Sequence, residues 1–427
     1  MNSNLRIPAF VNYDCQLCGW CCHQYDITFS TADYERLSKF EWGKLEPEKL
    51  GGKEWAAPLR DSSTPDQYRL RYAPDGACVF LNGKYCLMHK HVGELGKTLG
   101  CCVYPFTFAG TPTGVYVGCR FSCKAMAYGL GEPIQRRREF LAKQLALCAA
   151  SRHVPRYGDT VVFEGRKTLP WSDYLAFEES LIRIFLRDDL PLARRLFMAH
   201  KMADVLRQAK LERVRGDKFK ELIAILETGL AGEAESEPLP GQAGRLQRML
   251  FRQFCFLFQR RYGGSYRELG FFGKLGARLR SFQTGAQFTF AAGAARLIAM
   301  DGLVPLRKVE RMAPQPLDSA DELAISRFLA AKLYGKQHFG KLFFGYPLLP
   351  GLEFLFLSAG AVMWYARARA LARGDSATTS EDVHEAIRYV DFCYGYSRAP
   401  ALALERMRVR ILSHADSAIR LAVAQYG

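Results

Sequence analysis

The hydrophobic rhythm of the chain changes near residue 131. Up to that point apolar and polar residues alternate in short runs, as in QYDITF, QYRLRY, GACVFL and GVYVGCRF, broken by the turn sequences PDG and TPTG. A period of two that is interrupted every few residues predicts few, short strands in an irregular framework. One helix is signalled inside this region, where Ser30 and Asp33 form a capping-box variant ahead of DYERLSKF.

Beyond Gly131 apolar residues recur at three- and four-residue spacing, the helical period. Helices are expected from Pro133 through PIQRRREFLAKQLALCAA, then over residues 171 to 186, 191 to 211, 217 to 230, 245 to 262, 320 to 334, 351 to 371, 381 to 394 and 402 to 424. Thr378 with Glu381 reads as a second capping box. Residues 231 to 244, AGEAESEPLPGQAG, are small, acidic and rich in Pro and Gly, the composition of a linker. The expected fold class is mainly α. A small irregular cysteine-rich metal-binding domain with few short strands (1 to 130) is followed by a multi-helix domain, divided into a helical region (131 to 230), the linker and a second helical part (245 to 427).

FGYPLLPGLEFLFLSAGAVMWY, residues 344 to 365, is long enough to cross a bilayer, but Pro347, Pro350, Gly351 and Glu353 interrupt it. It reads as a buried helix after a turn, and no membrane is expected as a partner. At 427 residues with 49% apolar content, the chain can fill two or three ordinary cores. Its charge of +16 is carried largely by Arg, as in Arg136-Arg137-Arg138 and the run from Arg406 to Arg420. Such runs read as solvated helix faces, so nucleic acid is not an expected partner. Met1 to Phe10 lacks an apolar signal region, which places the expectation in the cytoplasm with reduced thiols.

Cysteine placement changes the picture most. Ten of the thirteen lie between Cys15 and Cys123. Reduced thiols gathered this closely point to metal ligation or redox chemistry rather than to disulfides. The leading motif is Cys15-x2-Cys18-x2-Cys21-Cys22, in which two-residue spacers let a tight turn aim several sulfurs at one metal or cluster edge. Cys78-x7-Cys86, Cys101-Cys102-x2-Pro105 and Cys119-x3-Cys123 follow. Cys15, Cys18, Cys21, Cys22, Cys78, Cys86, Cys101 and Cys123 are the expected ligands. The triple two-residue spacing is similar to a bacterial ferredoxin run without its fourth Cys-Pro, which favours an iron-sulfur cluster, 4Fe-4S in type. Structural zinc is the alternative, although no second Cys-x2-Cys arm exists. His23, His89 and His91 could substitute as ligands. Cys148, Cys255 and Cys393 lie in helical patterns and read as small core residues.

Three other motifs fail. A radical-type Cys-x3-Cys-x2-Cys is absent, because Met126 stands where a third cysteine is needed after Cys123. GELGKTLG is no phosphate loop, since His91 occupies the place of its first Gly. No Gly-rich turn of the dinucleotide-binding kind follows a strand.

CQLCGWCC, DITFSTADYERL, CVFLNGKYC and CCVYPF, taken in order, resemble the CxxCxxCC cysteine-cluster family, described as zinc- or iron-chelating. Within it, the pattern is most similar to flagellin lysine-N-methylases, whose Cys-x2-Phe-Pro element and Ser-Cys pair fall on Cys101 to Pro105 and on Ser122-Cys123. Cys102 and Cys119 have no counterpart in that pattern, and Tyr104 replaces its Phe. The resemblance implies an iron-sulfur protein lysine N-methyltransferase using S-adenosylmethionine on lysines of a flagellin-like protein. A non-catalytic zinc- or iron-chelating protein and a redox iron-sulfur protein remain alternatives. The sequence nominates no catalytic base.

Overall fold

The computed structural model describes residues 4–59, 67–151, 153–233, 236–259, 270–297, 300, 302–414 and 416–426, the side chain of residue 396 excepted. Helices dominate, and the strands are short pieces of two to six residues. The mainly α expectation holds on that basis.

Among the described residues the buried apolar side chains form two cores, and these do not follow the change of texture at residue 131. The smaller is built from Phe29, Leu37, Trp42, Leu50, Leu70, Phe80, Leu87 and Met88, around a three-stranded antiparallel sheet of Thr28–Ser30, Gln67–Leu70 and Ala56–Pro58. Ser30 caps the helix Thr31–Ser38, its hydroxyl accepting from the Asp33 amide as the capping signal requires.

The larger core takes in the helices and also both ends of the cysteine-rich region. Leu5–Arg6 lies parallel to Gly114–Cys119, which pairs antiparallel with Phe106–Thr111. Leu5, Val11, Phe106, Val117, Phe121 and Met126 from this part share one apolar cluster with Phe177, Leu329 and Phe354. The expected linker is also drawn in. Ala243 is buried and Glu237 pairs with Lys201, while positions 234 and 235 lie outside the described residues.

At the centre runs the helix Leu348–Arg373, the candidate membrane stretch of the sequence. It is long and apolar enough to cross a bilayer, yet 94% of its most apolar window is inside the protein. It packs against Ser380–Tyr396 and Ser417–Val423. Its buried Glu353 is met by Arg207 at 3.0 Å, which offsets the cost of placing a carboxylate there. Most expected helices appear within a few residues. The one expected to reach residue 262 closes at Leu257, with positions 260–262 outside the described residues. The last one divides into Ala403–Leu412 and Ser417–Val423. The second capping box sits one residue later than its sequence signal, with Thr379 and Asp382.

Candidate metal centre

The CQLCGWCC run turns twice in left-handed backbone, at Leu17 (φ 48°) and at Gly19 (φ 67°), and then enters the five-residue helix Trp20–Gln24. A side chain at position 19 would be strained by that φ. The turns leave Cys15 and Cys18 exposed and set Cys21 and Cys22 inward. Cys78 is tied to this loop directly, its amide donating to the Cys22 carbonyl at 2.9 Å. The hairpin Leu81–Asn82/Tyr85–Cys86 ends on Cys86, the residue that precedes the helix Leu87–Val92. Cys101 lies in the short helix Leu99–Val103, and Cys123 caps Lys124–Tyr128.

All eight expected ligands line one cavity of about 940 Å³. Cys148, read as a core residue, joins them there. Cys102 and Cys119 do not; Cys119 is buried in the larger core, where its carbonyl accepts from Lys332. Among the candidate histidines His89 lines the cavity, His91 is held by Glu46 at 2.7 Å, and His23 is not part of the lining. No disulfide joins any of the thirteen cysteines. Among the described residues, no three His, Cys, Asp or Glu side chains are set close enough to hold a single ion as they are placed.

The sulfurs influence one another in two overlapping sets. Burial raises Cys78, and Cys101, Cys86 and Cys21 raise it further. Cys101 is pushed up to about 12, by burial first and then by Cys86 and Cys21, while Thr98 and Lys97 oppose the rise. Cys22 is raised chiefly because its thiol donates a hydrogen bond to Cys21, with burial, Cys21, Cys78 and Cys86 adding to the effect. On the other side, Cys15 is raised by burial and by Cys21 and Cys18. Burial pushes Cys123 up to about 12, and Cys21 and Cys18 contribute. Cys21 belongs to both sets and is itself lowered to about 7, first by the Cys22 hydrogen bond and then by Lys97 against burial.

The packing agrees with this division. Cys22, Cys78, Cys86 and Cys101 touch the smaller core, whereas Cys123 packs on the larger one. Burial and the neighbouring sulfurs hold Cys22, Cys78, Cys101 and Cys123 in the thiol form, a bias that a cation placed among them would reverse, whereas Cys21 is shifted the other way.

The opposite wall is one the sequence did not disclose. Tyr25 and Tyr104 both direct their hydroxyls at Ser122 Oγ, at 2.9 and 3.4 Å. The Ser122 amide donates to Asp391 at 2.8 Å and its carbonyl accepts from Arg388 at 3.2 Å. Arg388 also covers the Trp20 ring, and Phe392 meets Trp20 and Tyr25 edge-on. Asp391 pairs with the fully buried Lys332. The helix Ser380–Tyr396 thus braces the cysteine loop from behind.

Comparison with protein-family models, with curated proteins and with solved structures finds no match in any of the three. The site therefore rests on its own geometry.

Proposed function

We propose that this cavity holds a thiolate-bound iron-sulfur cluster and that the protein is an S-adenosylmethionine-dependent protein lysine N-methyltransferase. The observation that carries the metal reading is the gathering of eight cysteines, drawn from more than a hundred positions of sequence, onto one cavity. Cys78, Cys86 and Cys101, with Cys21 or Cys22, are the proposed ligands, because Cys78, Cys86, Cys101 and Cys22 share the smaller core and Cys21 acts on Cys78 and Cys101. A cluster is favoured over zinc because its ligands stand around a cage, which asks less convergence of the sulfurs than one tetrahedral ion does. Bound there, it would supply positive charge that offsets the buried thiolates.

Support for the transferase reading is the room left over. About 940 Å³ is at the upper end for a small-molecule site and exceeds what a metal centre alone needs. Trp20, Tyr25, Tyr104, Phe106 and Phe108 give part of it an aromatic lining, with the Ser122 hydroxyl between the two phenols. The reaction would move a methyl group from a sulfonium to a neutral amine nitrogen. The amine lone pair forms the new N–C bond, the broken S–C bond pair stays on sulfur, and the positive charge passes from the sulfonium to the methylated nitrogen as an ammonium. These residues would exclude water and orient the amine through hydrogen bonds.

The exposure of Cys15 and Cys18 favours a second reading, a chelating protein that takes up and passes on metal. Calorimetry of the metal-loaded chain with S-adenosylmethionine, followed by mass spectrometry of lysine-bearing flagellin-like proteins, separates the two. Donor binding with a 14 Da gain per methyl on lysine, the mass of an added CH2, supports the transferase. Absence of both, with metal lost readily to a competing chelator, supports the carrier.

A further inference from the structure

The helix Phe271–Phe290 buries only Phe288, which packs on Phe256 and Trp364. Gly285 keeps that contact close, since a Cβ there would meet Phe256 at 3.1 Å. Its other apolar residues face outward, with Phe272 84% and Phe282 80% exposed and Phe271, Leu275, Leu279 and Phe290 also exposed. At 3.6 residues per turn these six fall within an arc of roughly 100°, so they form one continuous stripe. Single exposed apolar residues are ordinary; an unbroken stripe on a soluble surface is costly unless something covers it.

Charge indicates what covers it. The helix contains Lys274, Arg278 and Arg280 and no acidic residue, with Lys274 and Arg278 along one edge of the stripe. A second copy would bring these like charges together. An anionic surface would meet them. A neighbouring helix repeats the pattern: in Ala403–Leu412, Leu404, Met407 and Ile411 are exposed at i, i+3 and i+7 beside Arg406 and Arg410. Both helices pack against Arg245–Leu257. The whole chain, at +16, is drawn to the same kind of surface.

We propose that the helix Phe271–Phe290 is a membrane-surface anchor that lies in the plane of a bilayer containing anionic phospholipid, with Phe271, Phe272, Leu275, Leu279 and Phe282 in the interface. Three cations in one helix and the buried contact of Phe288 set it on the surface rather than across it.

Sedimentation of the full-length protein with phosphatidylcholine vesicles, with and without phosphatidylserine, tests this. Binding is expected only to the mixed vesicles and falls as salt rises. Phe272→Gln with Phe282→Gln should weaken it by about tenfold or more, with circular dichroism unchanged. Lys274→Gln and Arg278→Gln should each weaken it by about fivefold. Failure of the wild type to bind, equal binding to uncharged vesicles, or unchanged binding of the Phe variant overturns the proposal. So does self-association that the Phe substitutions abolish in a protein that ignores vesicles, which would assign the stripe to a second copy.

Discussion

Cys21 is the residue through which the two sets of sulfurs meet, and the remaining thiols differ in consequence. Cys78 is buried and Cys101 half-buried in the inner set, while Cys255 is buried in the Phe-rich larger core. Cys78→Ser and Cys101→Ser are expected to abolish metal binding, and Cys255→Ser to retain it, as measured by metal content per chain. Loss in Cys255→Ser and retention in the other two would reverse the assignment. Elsewhere, His338 is wholly buried, and burial lowers it to about 3 from an ordinary value near 6.5. The folded state keeps it neutral, whereas the unfolded chain takes up a proton as pH falls below about 6.5. Its contribution is therefore complete above 6.5 and declines by roughly 1.4 kcal/mol per pH unit toward about 3. Urea titrations at pH 7 and pH 5 should show this loss in the wild type and a smaller one in His338→Gln.

At the scale of elements, the helices were legible where an apolar stripe faces a core, as in Trp171–Phe185, whose expected and observed ends differ by one residue. The helix Phe271–Phe290 was not foreseen, because Gly273, Gly276 and Gly285 weaken its propensity. Short helices such as Leu99–Val103 are set by tertiary contacts around the cysteines and carry no periodic signal of their own. Leu348–Arg373 shows what periodicity omits: it is buried on every side, so no stripe marks it, and its close approaches are hidden. A Cβ on Gly351 would lie 1.8 Å from the His338 carbonyl. Gly351→Ala should therefore cost about 1–3 kcal/mol, in spite of the better helix propensity of Ala, as read from the urea midpoint. A neutral or stabilising effect would contradict this packing.

For the whole molecule, the question is how the two cores depend on each other. The sequence displayed the thiols as a motif but not the wall behind them, since Ser122 and Asp391 meet across 269 positions that no local pattern links. The smaller core is slight, and its thiols would repel one another once ionised, so on the proposed reading a bound metal would stabilise that part of the fold. Hydrogen exchange after chelation should show residues 20 to 101 losing protection before Leu348–Arg373, which is anchored in the larger core. Simultaneous loss would mean that the two cores open as one unit. The most direct test of the central claim is iron, zinc and sulfide analysis of the full-length chain purified without oxygen. Iron with matching sulfide is expected, with a broad visible absorption that disappears in the Cys78→Ser variant. A folded, colourless chain with intact cysteines and neither iron nor sulfide would contradict it.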